Sequence, residues 1–119
     1  NGINILLMGD ATVNNEDILM KRYNLPKIDI LKVGHHGSRT SSSKLFIKDI
    51  EPKISLISSG KNNKYHLPNL DVIQRLKYYG SKVFDTQDNG ELTINLDEEV
   101  YIVYRDNLNQ KSLARESVS

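Results

Sequence analysis

The chain has 119 residues, 38% of them hydrophobic and 26% charged, a composition that fits one ordinary globular domain and excludes collagen, coiled coil and wholesale disorder. Sixteen basic residues against fifteen acidic ones leave a formal charge of +1, so no field of the whole molecule draws it onto nucleic acid or an anionic membrane. Cysteine is absent, which removes disulfides, thiolate metal sites and cysteine nucleophiles and leaves only His, Asp and Glu as strong metal ligands.

No apolar run approaches the roughly 18 residues that cross a bilayer, and Asn1-Gly2-Ile3-Asn4 lacks the basic start of a secretory signal. A chain that opens without Met and enters the apolar stretch Ile3 to Met8 almost at once reads as a piece of a longer one. That stretch is the first predicted strand. Asn14 or Asn15 is expected to cap a helix from Glu16 to about Tyr23, with Lys21 and Arg22 in the last turn to suit the helix dipole. Pro26 stops propagation. Ile28 to Val33 is a second strand, Ser41 to Ser43 precede a short helix ending at Ile50 before Pro52, and Ile54 to Ser58 is a third strand. Leu70, Ile73, Leu76 and Tyr79 recur at helical spacing between Asn69 and Tyr79, with Gly80 placed to close the helix and Val83 to Asp85 as a fourth strand. The turn signal Asp88-Asn89-Gly90 and the alternating runs Glu91 to Asn95 and Val100 to Tyr104 then predict an antiparallel hairpin or meander. Asp106 to Ser119 has no apolar periodicity and is expected to be a disordered tail.

Strands alternating with helices predict a largely parallel sheet. Its polar residues then fall in one place. Gly9-Asp10 follows the first strand, Gly34-His35-His36-Gly37-Ser38 the second, and Gly60 to His66 the third, and parallel strands open all three loops on the edge where α/β sheets bind ligands. Asp10, His35, His36 and His66 are therefore expected to meet, which is the donor set of a cysteine-free zinc or manganese site. Each piece also has a structural reading: Asp10 as a turn former, the Ser38 to Ser43 hydroxyls as helix caps, and Lys61 to His66 as a solvated basic turn. In the functional reading, helix amides beside Ser38 hold a phosphate and Tyr65 offers a ring for a base. Neighbouring side chains on an extended segment diverge, so only one of His35 and His36 is expected to share an ion with Asp10.

The strings Leu6-Leu7-Met8-Gly9-Asp10, Asp29 to Ser38 with its following Ser/Thr run, and Ile57-Ser58-Ser59-Gly60-Lys61-Asn62-Asn63 resemble the metallo-β-lactamase superfamily, and within it the C-terminal domain of the ComEC family of bacterial DNA-uptake channel proteins. The resemblance covers residues 3 to about 104. It implies that residues 1–105 are the C-terminal half of an αβ/βα sandwich, with three to four strands, intervening helices and a final antiparallel hairpin, and that 106–119 form a tail. It also implies two divalent metal ions, zinc or manganese, in the intact domain, bridged by Asp10 and completed by His35 or His36, with His36 favoured by analogy with similar His-His-Gly segments. Asp10, His35 and His36 are the implied catalytic groups, and Ser38, Lys61, Lys64 and His66 the implied substrate contacts. The implied reaction is hydrolysis of a DNA phosphodiester by a soluble domain of an inner-membrane protein. The alternative is a domain that binds or guides nucleic acid without cutting it.

The superfamily's His-x-His-x-Asp-His type motif does not occur in this chain, and Tyr65-His66-Leu67-Pro68 stands where the family often has Tyr-Gly-His-Pro. The chain alone is therefore expected to hold metal partially or not at all, to be inactive, and to self-associate through the sheet face that the N-terminal half of the domain would cover.

Overall fold

The computed structural model describes residues 2–60, 67–96, 100–105 and 113–118. Four strands, β1 (Ile5–Leu7), β2 (Ile30–Lys32), β3 (Ile54–Ile57) and β4 (Lys82–Asp85), form a parallel sheet in the order β1-β2-β3-β4. The register pairs Leu7 with Lys32, Lys32 with Leu56 and Leu56 with Phe84, so the four C-terminal ends lie level on one edge. The connections carry α1 (Val13–Arg22), α2 (Lys44–Ile50) and α3 (Leu70–Tyr78). Each helix has a local cause. Ser43 caps α2 by accepting from the Phe46 amide at 3.3 Å, and Asn69 caps α3 by accepting from the Asp71 amide at 3.0 Å. In α1 the expected caps lie one step inside the helix: Thr12 is the N-cap, and the Asn15 side chain reaches back to accept from the Thr12 amide at 2.9 Å.

Strands β2, β3 and β4 are covered on both faces, as their apolar residues require, whereas Ile5 and Leu7 of the edge strand β1 stay exposed. On one face Leu31, Val33 and Ile57 pack against Phe46, Ile47 and Ile50 of α2, Val72 and Leu76 of α3, and Leu19 and Met20 of α1. Each fully buried Phe, Ile or Leu here contributes about 1.5–3 kcal/mol. The single polar residue of β3, Ser55, also points to this side and bonds Ser81 through the hydroxyls at 2.6 Å. On the other face Ile30, Ile54, Leu56 and Phe84 pack against Val100, Ile102 and Val118, with Leu92 and Ile94 beside them. Those residues come from a second sheet, β5 (Thr93–Asn95), β6 (Tyr101–Arg105) and β7 (Leu113–Ser117), antiparallel in the order β5-β6-β7. The layers therefore run helices, parallel sheet, antiparallel sheet. A one-turn helix, α4 (Thr86–Asn89), follows β4 directly.

The α/β class, the parallel sheet and the antiparallel pairing of β5 with β6 follow the sequence reading. The expected tail does not. Leu113–Ser117 pairs with Tyr101–Arg105 along its whole length, and Val118 is buried against the parallel sheet. The physical reason is non-local: Leu-Ala-Arg-Glu-Ser carries no alternating apolar signal, and an edge strand of this kind is held by its partner's backbone. Lys82 of β4 and Glu116 of β7 form an ion pair that joins the two sheets.

Candidate functional site

The four strand ends form a continuous hydrogen-bonded rim. Beyond β1, the Gly9 carbonyl accepts from the His35 amide at 2.7 Å, which ties the first loop to the second. Asp10 is exposed, and its carboxylate meets no polar group among the described residues. The Gly9–His35 backbone bond places Asp10 in the loop next to the histidine turn.

The histidine segment itself is not extended. Gly34–Gly37 makes a single tight turn in which His35 (φ 51°, ψ 41°) and His36 (φ 55°, ψ 29°) are both left-handed. Two consecutive non-glycine residues in that region are costly and mark a geometry enforced from outside. The enforcing contacts are visible. Ser41 Oγ donates to the Gly34 carbonyl at 2.9 Å, and the Gly37 carbonyl accepts from the Asn69 amide at 2.9 Å. The extended backbone expected for the two histidines is not what forms, and each ring is bonded to a different segment of the chain. His35 Nδ1 meets Thr40 Oγ1 at 3.1 Å, whereas His36 Nδ1 meets the Ser58 carbonyl, beyond β3, at 2.8 Å.

That difference has chemical content. A hydroxyl can donate or accept, so Thr40 fixes no tautomer for His35. A carbonyl only accepts, so the His36 ring carries its proton on Nδ1 and presents the Nε2 lone pair outward. A metal-ligating imidazole is held in this way, its other nitrogen donating to a carbonyl or carboxylate. Among the described residues, however, no group of three His, Asp or Glu could hold a metal ion. The donors described in this chain do not close a site.

Ser38 sits on the rim, its Oγ 3.0 Å from Thr40 Oγ1. Two of the amides that lead into α2, where a phosphate was expected, are occupied. Glu16 of α1 is buried at 1% exposure and accepts from the Ser43 amide at 2.9 Å and from the Ser42 amide. The Ser42 carbonyl in turn accepts from Arg75 Nη1 at 2.7 Å. The serine run thus ends as a junction of three helices. Burial pushes the Glu16 carboxyl above the usual carboxylate range, against the lowering effect of the Ser43 and Ser42 amides. Lys61, Lys64, Tyr65 and His66 lie outside the described residues.

Sequence reasoning missed the fourth strand end. Asp85 is buried and caps α4 by accepting from the Gln87 amide at 2.9 Å. It also accepts from Ser59 Oγ at 2.7 Å, and Thr86 Oγ1 bonds the Ser59 backbone. The signal was present, since Asp85 ends β4 and Thr86 follows it at the same edge at which Gly9-Asp10 follows β1.

An α/β domain with its chemistry-bearing residues on the C-terminal edge of a parallel sheet is the class that the fold and the rim define. Over 91 residues, 76% of the chain, it is 42% identical to Recombination protein 2 of Haemophilus influenzae and 41% identical to ComE operon protein 3 of Bacillus subtilis, matching 11% and 12% of those proteins. Over 97 residues it is 36% identical to Competence protein ComA of Neisseria gonorrhoeae, matching 14% of it. These similarities are consistent with a fragment of a ComEC-type competence protein. The chain spans between 11% and 14% of the length of these relatives. No family model matches the chain, and no solved structure matches it.

Proposed function

We propose that this chain is part of a DNA-uptake protein and that the strand-end rim carrying Asp10, His35 and His36 is its working surface. Two of the relatives are named for competence or its operon and a third for recombination, and their similarity to this chain supports the role. The observation that carries the choice of surface is the His36 to Ser58 bond, which leaves Nε2 free of that bond on the same edge as the Asp10 carboxylate, itself without a polar partner among the described residues.

The finer reading is a metallo-β-lactamase-type domain that hydrolyses DNA phosphodiesters with two zinc or manganese ions. In it, Asp10 and His36 are ligands, His35 is a neighbour of substrate or metal, and Ser38, Lys61, Lys64 and His66 meet the substrate. The order helices, parallel sheet, antiparallel sheet supports that reading, since an αβ/βα sandwich has these three layers and one more of helices. With fewer than three convergent donors among the described residues, the remaining ligands belong to other parts of the protein, and the described part of this chain does not fit a metal by itself. The alternative reading is that the rim guides DNA without cutting it. In either case the domain belongs to a membrane-associated protein, and no helix among the described residues is long and apolar enough to cross a membrane.

The test is DNA uptake by cells whose intact protein carries Asp10→Ala or His36→Ala. Each is expected to lower transformation by about 10–100-fold, the usual effect of disturbing a metal site. Wild-type transformation with both variants would remove the rim from the function. In purified intact protein, plasmid nicking abolished by Asp10→Ala supports the hydrolase, and DNA binding without nicking supports the guide.

A further inference from the structure

The bond that fixes His36 is itself held from behind. The β3 and β4 ladder ends at the pair Ile57 and Asp85. One residue further on, Thr86 takes over the ladder with its side chain: its Oγ1 accepts from the Ser59 amide at 2.9 Å and donates to the Ser59 carbonyl at 2.9 Å. The Ser59 amide belongs to the same peptide group as the Ser58 carbonyl. That group is planar and rigid. Its N–H end is therefore held by Thr86 while its C=O end accepts from His36 Nδ1 at 2.8 Å. Asp85 accepts from Ser59 Oγ at 2.7 Å, a bond to the side chain that leaves the Ser58–Ser59 peptide group untouched.

We propose that Thr86 is a positioning residue for His36, setting the plane of the Ser58–Ser59 peptide so that its carbonyl holds the ring in the Nδ1–H tautomer with Nε2 directed outward. Thr86 touches neither the ring nor any ligand. Its effect passes through one peptide unit, which is why neither the sequence pattern nor a contact search around His36 points to it. The importance of the outward Nε2 rests on the proposed function, whereas the relay is a property of the hydrogen bonds alone.

The test is ¹⁵N NMR of the His36 ring in the metal-free chain, at a pH high enough that the ring's ¹⁵N shifts no longer change with pH. In the wild type the Nδ1–H form is expected to dominate. Thr86→Val keeps the shape and removes the hydroxyl, and the ratio of Nδ1–H to Nε2–H should fall by about two- to tenfold, the worth of one hydrogen bond. Thr86→Ser should restore the wild-type ratio. Ser59→Ala, which loses the Asp85 contact but keeps the amide, should also leave it unchanged. A wild-type ring in the Nε2–H form overturns the proposal without any variant, so a Thr86→Val chain that fails to fold does not shield it. A ratio that is the same in wild type and Thr86→Val overturns it as well. Because no metal is present, the outcome is separate from that of His36→Ala on metal content, which tests the functional reading.

Discussion

Three glycines around the rim separate backbone strain from crowding, and alanine at each predicts a different loss of stability. At Gly37, φ is +75° and an added Cβ would sit 2.7 Å from Pro68 Cβ, so strain and crowding act together. At Gly34 there is crowding alone, 2.9 Å from the Ala11 carbonyl oxygen and 3.2 Å from Met8 Cβ. At Gly9 there is strain alone, with φ +57° and no described atom within 4 Å. The left-handed conformation costs an alanine about 1–2 kcal/mol, and forcing a methyl into packed surroundings costs about 1–3 kcal/mol. Gly37→Ala should therefore lose about 2–5 kcal/mol, more than either neighbour. At roughly 4 °C per kcal/mol for a chain of this size, its melting temperature should drop by about 8–20 °C. Thermal unfolding followed by circular dichroism measures all three. If Gly37→Ala melted no lower than Gly9→Ala, the contact between the histidine turn and Pro68, and with it the enforced geometry of His35 and His36, would be wrong.

Glu16 gives a pH signature. Its carboxyl is raised in the folded state, so its contribution favours folding below the ordinary carboxylate pKa of ~4.3 and is lost as pH rises through the folded value. The stability gap between wild type and Glu16→Gln should narrow with rising pH in urea titrations, and a widening gap would contradict the burial argument. Self-association is expected through β1, an edge strand whose Leu7 is 73% exposed and Ile5 39% exposed. Light scattering should show mass rising with concentration and Leu7→Lys suppressing it, and a wild-type monomer at every concentration would refute this. With too few convergent donors, the chain dialysed against zinc should retain well under one ion and should not nick plasmid DNA. Near-stoichiometric zinc would overturn that expectation.

The sequence made the rim legible because its logic is topological. Short apolar runs separated by helices demand parallel strands, and parallel strands place Asp10, His35 and His36 at one edge whatever the detail of the loops. Conformation inside the loops was not legible. His35 and His36 look like an extended dipeptide between glycines, yet Gly9, Ser41 and Asn69, distant in sequence, bend them left-handed. Glu16 stood in the sequence only as the expected first residue of a helix, and the packing of α1 on α2 shows that its carboxylate takes the Ser42 and Ser43 amides beside the expected phosphate site. β7 was invisible for the same reason. Its five residues acquire their structure from β6.

In the proposed function the rim divides labour between its histidines, His36 supplying a metal ligand and His35 not. The measurement that tests it most directly is the metal content of the intact protein carrying His35→Ala or His36→Ala singly. His36→Ala should empty a site while His35→Ala retains the metal and weakens turnover or DNA binding. Equal metal loss from both would contradict the division of labour, and full occupancy in both would remove the histidine turn from the site.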